Sequence, residues 1–184
     1  MATTQDTREV LTEIEQRFEE LSDLWSRLQQ TPHDMLLRKP SADGWSANEC
    51  LKHINSYGRY YLPLFDKALK EPSVQAKTYR EGWLGGLFIR WMSTSAEGYP
   101  EKTMSSPPGH RPKNNLLVNE TLSEFAQQYA WLQSLMPMVA QHDLAGSRIP
   151  ISIGKWIRLQ IGDVLRFYIA HHVRHLHQAL RAAQ

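Results

Sequence analysis

The stretch "IGDVLRFYIAHHVRHLHQAL", Ile161–Leu180, carries Ile161, Val164, Tyr168, His171, His175 and Gln178 at alternating spacings of three and four. That periodicity marks one buried face of an amphipathic helix. His171 and His175 lie on this seam, one turn apart, so their Cβ atoms fall roughly 5–6 Å from each other and both imidazoles can reach one cation. His172 falls on a second apolar line with Leu165, Ile169 and Leu176, where it can pack or hydrogen-bond in the core. His177 is rotated away and is expected in solvent, and Asp163 is expected to cap the helix. Four of the chain's eight histidines thus occupy seven consecutive positions, His171 to His177.

Working outward, Ile14, Phe18, Leu21, Trp25 and Leu28 form the stripe of a first helix over about residues 6–30. The segment "TPHDMLLRKPSADG" breaks it with prolines and a glycine. Ser46 and Glu49 then make a capping-box pair that opens a second helix with Ile54, Tyr57, Tyr61, Leu64 and Ala68 inward. Pro63 is expected to kink that helix or end it early. Between about Lys70 and Asn119 the periodicity fails, and a long, largely irregular connection is expected, of the length that serves as a lid or crossover. Thr121 and Glu124 read as a second capping box for a third helix carrying Phe125, Tyr129, Leu132, Met136 and Val139 and ending near Gln141. "GSRIPISIGKWIRLQIGD" reads as an extended or turn-like approach to the last helix. The expectation is an all-α four-helix bundle, one domain over residues 1–184, with a long crossover between helices 2 and 3.

Composition narrows the function. Twenty-one Lys and Arg against nineteen Asp and Glu leave a net charge of +2, without the basic excess of a dedicated nucleic-acid binder. The basic residues of "KALKEPSVQAKTYR" and "GHRPKNN" are dispersed and read as solvated loop. "MATTQDTREVLTEIEQRF" has no signal-peptide pattern, and no stretch approaches about 18 uninterrupted apolar residues, so a cytoplasmic protein with no membrane or nucleic-acid partner is expected. The single cysteine, Cys50, excludes an internal disulfide and a thiolate-rich zinc site. Any metal must therefore rest on nitrogen and oxygen ligands.

Two histidines seldom complete a metal site, and His53, one turn before Tyr57 in the second helix, is the donor from another helix; His33, His110 and His142 fall in or beside loops. One imidazole from the second helix and two from the last would leave coordination positions for water or substrate, as catalytic sites do. The plainer reading is that histidines favour helix C-termini, where they meet the negative end of the dipole. The run His171 to His175 also lacks the glutamate of a zinc-protease helix.

"WSANECLKHI", Trp45–Ile54, together with the His-x-x-Arg-His-x-x-Gln pattern of "IGDVLRFYIAHHVRHLHQAL", resembles the DinB/YfiT-like metalloenzymes, and "KTMSSPPGHRP" suits their basic, proline-containing crossover. The resemblance spans nearly the whole chain. It implies an up-down-down-up bundle, commonly a homodimer, binding a divalent metal such as nickel or zinc through His53, His171 and His175. His172 departs from the family pattern, where relatives often carry an acidic or polar residue, and leaves His172 with His175 as an alternative pair. Some relatives are thiol-dependent S-transferases or isomerases and others hydrolase-like. By that analogy the protein is a metal-dependent S-transferase or hydrolase acting on a small molecule, with a low-molecular-weight thiol as possible co-substrate and no catalytic base identified.

Three further residues stand near the ligands: Tyr57 and Tyr168 as substrate hydrogen-bonders or core, and Gln178 as a group that orients a ligand or plugs the seam. The alternative function is a non-catalytic binding or dimerisation module that keeps the histidines. "GWLGGLFIRWM", Gly82–Met92, would be its interface if exposed. The expectation preferred here is that Trp83, Leu87, Phe88 and Trp91 fold back over the core.

Overall fold

Asp6 starts the first helix by accepting the N–H of Arg8 on its carboxylate at 2.8 Å. From there the computed structural model, which describes residues 4–95, 98–112 and 117–184, is mostly helical. Helix α1, Thr7–Gln29, buries Ile14, Leu21, Trp25 and Leu28 as its stripe predicts. A single short helix, α2, His33–Leu37, fills the break that follows. Helix α3, Ala47–Leu69, begins with the predicted capping box: Glu49 N–H donates to Ser46 Oγ at 3.2 Å and Ser46 N–H to Glu49 Oε2 at 2.8 Å. Pro63 does not end it. The helix runs through to Leu69, with Tyr61, Leu62 and Phe65 buried around the proline.

The connection after α3 is more ordered than its lost periodicity suggests. Strand β1, Thr4–Asp6, pairs antiparallel with β2, Thr78–Arg80, and a nine-residue helix α4, Trp83–Trp91, follows. A 3-10 turn at Pro108–His110 precedes α5, Val118–Val139. The capping box proposed for α5 is not formed. The helix begins at Val118 with no side-chain cap, and Glu124 turns instead to Arg59 of α3, which pairs with it, while Gln128, one turn on in α5, donates Nε2 to it at 3.1 Å. A guanidinium partner outweighs a free helix N–H for that carboxylate.

The extended approach to the last helix is an antiparallel hairpin, β3, Arg148–Ile151, with β4, Gly154–Gln160, leading directly into α6, Ile161–Ala182. The two small sheets are additions to the all-α expectation. Helix α6 packs against α1 and α3, and α3 against α5. Ring pairs Phe18–Tyr129 and Trp25–Phe125, with centroids 5.6 and 4.7 Å apart, join α1 to α5.

Asp163 does not cap α6. Its carboxylate accepts the Tyr79 hydroxyl and the Gly82 N–H at 3.1 Å, anchoring the β2–α4 segment. A Cβ at Gly85 would sit 2.4 Å from that carboxyl, so glycine there is what lets α4 lie against α6. Arg166, buried nearby, reaches Glu13 at 2.8 Å and Glu81 at 2.9 Å, tying the same segment to α1. Of the four residues expected to fold back, Phe88 does, meeting Phe167 at 6.2 Å; Trp91 packs on Phe88 at 5.5 Å, Leu87 is half-buried, and Trp83 does not fold back and stays 75% exposed.

No helix among the described residues is long and apolar enough to cross a membrane. Lys113, Asn114 and Asn115 of the basic "GHRPKNN", and Met1 to Thr3 of the N-terminal segment, lie outside the described residues.

Candidate metal centre

The capping box sets where α3 starts, and seven residues after Ser46, about two turns on, the same helix presents His53 to α6. There His53, His171 and His175 each offer a ring nitrogen, and these atoms all lie within 4.8 Å of one another. His53 Nε2 faces His171 Nε2 at 3.1 Å, and ring centroids are 4.5 Å apart for His53–His175 and 4.6 Å for His171–His175. These are the three residues singled out from the sequence. The cluster can hold a metal ion.

The tautomers follow from the partners. His53 Nδ1 lies 2.7 Å from the carbonyl oxygen of His110, which can only accept, so Nδ1 carries the proton and Nε2 presents a bare lone pair. His175 Nδ1 meets Gln178 Oε1 at 2.9 Å and is oriented the same way, with its Nε2 free of hydrogen bonds among the described residues. A metal-ligating imidazole characteristically has its far nitrogen held by a carbonyl or amide in this manner. Gln178 is thus an orienting group rather than a plug. His171 Nδ1 is buried and has no partner among the described residues.

Burial also keeps the cluster neutral. It pushes the pKa of His53 down to about 4, and it places those of His171 and His175 well below the ordinary value, with the charges of neighbouring histidines adding to the effect. Neutral imidazoles are the form that binds metal. Three of them, neutral and converging from two helices, are a donor set that fits a borderline divalent ion, with the proton shared between His53 Nε2 and His171 Nε2 given up on binding.

His172 is separate. It is as buried as His171, but its Nδ1 bonds the Tyr168 carbonyl at 2.8 Å and its ring packs on Tyr168 at 3.9 Å and Phe125 at 6.2 Å. Burial pushes its pKa down to about 3. It stays outside the three-histidine group, so the structure gives no support to a His172–His175 pair. His177 is not a free surface group either: its Nε2 meets Glu20 Oε1 at 3.0 Å, tying α6 to α1. Tyr168 is core beside His172, whereas Tyr57 lies 4.3 Å from His171, its ring tilted against the imidazole, and faces the site.

A cavity of about 570 Å³ opens on the cluster. Trp45, Tyr57, Phe88, Trp91 and Phe167 give it aromatic walls, and Ser152 and Ile153 at the hairpin turn line its far side. Trp45 lies 5.0 Å from His53, ring to ring. Two residues whose role the sequence did not show complete the site, His110 on the crossover and Arg174 on α6. His110, set aside as a loop residue, stacks on Tyr57 at 3.9 Å and pairs its Nδ1 with Ser56 Oγ at 2.7 Å, which holds its carbonyl in place for His53. Arg174 donates Nη1 to the Trp91 carbonyl at 3.0 Å and Nη2 to that of Lys102 at 2.7 Å, clamping the crossover onto α6. Burial, and then the charge of Arg181, pushes the Arg174 pKa below its ordinary value. The prolines flanking His110 in "SSPPGHRP" were the one signal that this turn is rigid.

No curated protein and no solved structure matches the chain. The sequence profile of the DinB superfamily matches residues 8–179, a span holding all three converging histidines, the capping box that positions the first and the glutamine that orients the last. By that match the chain belongs to the DinB superfamily.

Proposed function

We propose that the protein is a metal-dependent enzyme acting on a small molecule, with a divalent ion, nickel or zinc, held by His53, His171 and His175. The observation that carries the reading is the meeting of His53 Nε2 and His171 Nε2 at 3.1 Å on the wall of a 570 Å³ cavity. Such an ion supplies Lewis acidity, which lowers the pKa of a thiol or a water toward neutrality. Thiol S-transfer, with a low-molecular-weight thiol as co-substrate, is the reaction class preferred, and hydrolysis the second.

The chain's own residues prepare the site. His110 and Gln178 fix the rings of His53 and His175, Trp45 and Tyr57 cover their flanks, and α4 with the rest of the crossover lines a further wall. The same residues support an up-down-down-up bundle formed by α1, α3, α5 and α6, because the ligands on α3 and α6 meet only where those helices lie side by side.

A non-catalytic binding role has its own supporting observation. Trp83 and Trp156 stand 75% and 90% exposed, and a homodimer would cover them. The test is turnover. Nickel- or zinc-loaded protein given glutathione and 1-chloro-2,4-dinitrobenzene, or a p-nitrophenyl ester, should react faster than the metal-free protein. Equal rates with every probe, alongside a stable dimer in light scattering, would favour the binding module.

A further inference from the structure

Elsewhere the fold gives its buried guanidinium carboxylate partners: Arg166 has Glu13 and Glu81. Arg174, only 9% exposed, has none among the described residues. Its two hydrogen bonds go to the carbonyls of Trp91 and Lys102, and a guanidinium has five N–H donors, so three are without a partner among the described residues. Arg181, two turns along α6, is half-buried and likewise lacks a carboxylate among the described residues. Its Nη1 donates to the Gly98 carbonyl at 2.8 Å, and its guanidinium lies 4.5 Å from the Tyr99 ring centre.

Both arginines line the cavity that holds the histidines. The acids that share the lining do not serve them. Asp163 is taken by Tyr79 and Gly82, and Asp43 sits exposed. A cation withdrawn from water without an anion is costly to the fold, and a ligand anion that completes the pair offsets that cost. The remainder of the lining is dominated by aromatic and aliphatic side chains.

Building on the cavity as the substrate pocket of the histidine centre, we propose that it takes a small molecule with an aromatic or otherwise apolar body and one oxyanion, a carboxylate or a phosphate, held at the Arg174–Arg181 wall. The guanidinium fork matches both anions. The apolar body lies toward Phe88, Trp91 and Phe167, which leaves the other end of the ligand facing His171 and His175.

The experiment is calorimetric titration of metal-free protein, so that no anion can be held by a metal. The probes are 3-phenylpropanoate, phenyl phosphate and the neutral 3-phenylpropanamide. At least one anion should bind about ten- to a hundredfold more tightly than the amide, as expected for hydrogen bonds to charged donors. The tighter of the two anions identifies the group. Arg181→Gln and Arg174→Gln should each cut the advantage of the anion while leaving the amide unchanged. Arg181→Gln decides alone if the more buried Arg174 variant does not fold. The amide binding as well as both anions, no binding of any probe, or an advantage that survives in the Arg181 variant would overturn the proposal. Nickel titration of the same protein separates the two readings: loss of nickel binding with the anion preference intact removes only the metal, and the reverse removes only the anion site.

Discussion

Two faces of α6 bury histidines side by side. His171 and His172 are adjacent, almost fully covered and both pushed down in pKa by burial, and yet only one belongs to a site. On the face toward α3, His171 and His175 meet His53, and partners on the far nitrogens of His53 and His175 aim those rings inward. On the face toward α5, His172 is pinned to its own helix at Tyr168 and covered by Phe125. Burial makes an imidazole neutral. Convergence on a common point is what lets it serve as a ligand, and among the adjacent pair only His171 has it.

The strongest way to break that contrast is to remove a ligand. His53→Ala or His175→Ala should take bound nickel or zinc, measured by inductively coupled plasma mass spectrometry after equilibration, from about one per chain to background; retention near wild-type level would dissolve the distinction between the faces. Acid should act on both faces together. His53 has its folded pKa depressed to about 4 and His172 to about 3, against 6.5 unfolded. The unfolded chain therefore binds more protons, and the stability these groups contribute is complete above pH 6.5 and lost as pH falls toward 4. Metal-free protein should lose about 2 kcal/mol for each of them between pH 7 and 5, read from urea midpoints.

A finer probe is Gln178→Leu, which leaves all three imidazoles but frees His175 Nδ1. Metal affinity should drop about ten- to a hundredfold, with unfolding midpoints nearly unchanged. The smallest effect belongs to His172→Phe. It removes a buried Nε2 that has no partner among the described residues and keeps the ring packing, so metal content should not change and stability should shift by no more than about 1 kcal/mol. A loss of metal in that variant would show that the two faces are one site.

What was legible in the sequence followed from regular spacing. The stripes of α1, α3 and α6, the Ser46–Glu49 box and the His171–His175 register all repeat every three or four residues, and each appears in the structure. What was not legible depends on tertiary partners. Glu124 looked like a cap until Arg59 and Gln128 came within reach. Asp163 looked like another until Tyr79, 84 positions earlier, arrived beside it. His110 contributes to the centre through a backbone carbonyl, which leaves no mark on residue identity. The pairing of β3 with β4 was seen only as weak alternation, since β4 is largely exposed and only Leu159 of it packs on the core.

The most direct test is anomalous diffraction from a crystal grown with nickel or zinc. The account predicts one strong peak bonded to nitrogens of His53, His171 and His175, with His172 taking no part. A peak held by His172, or no peak at the junction of α3 and α6 at saturating metal, would contradict it.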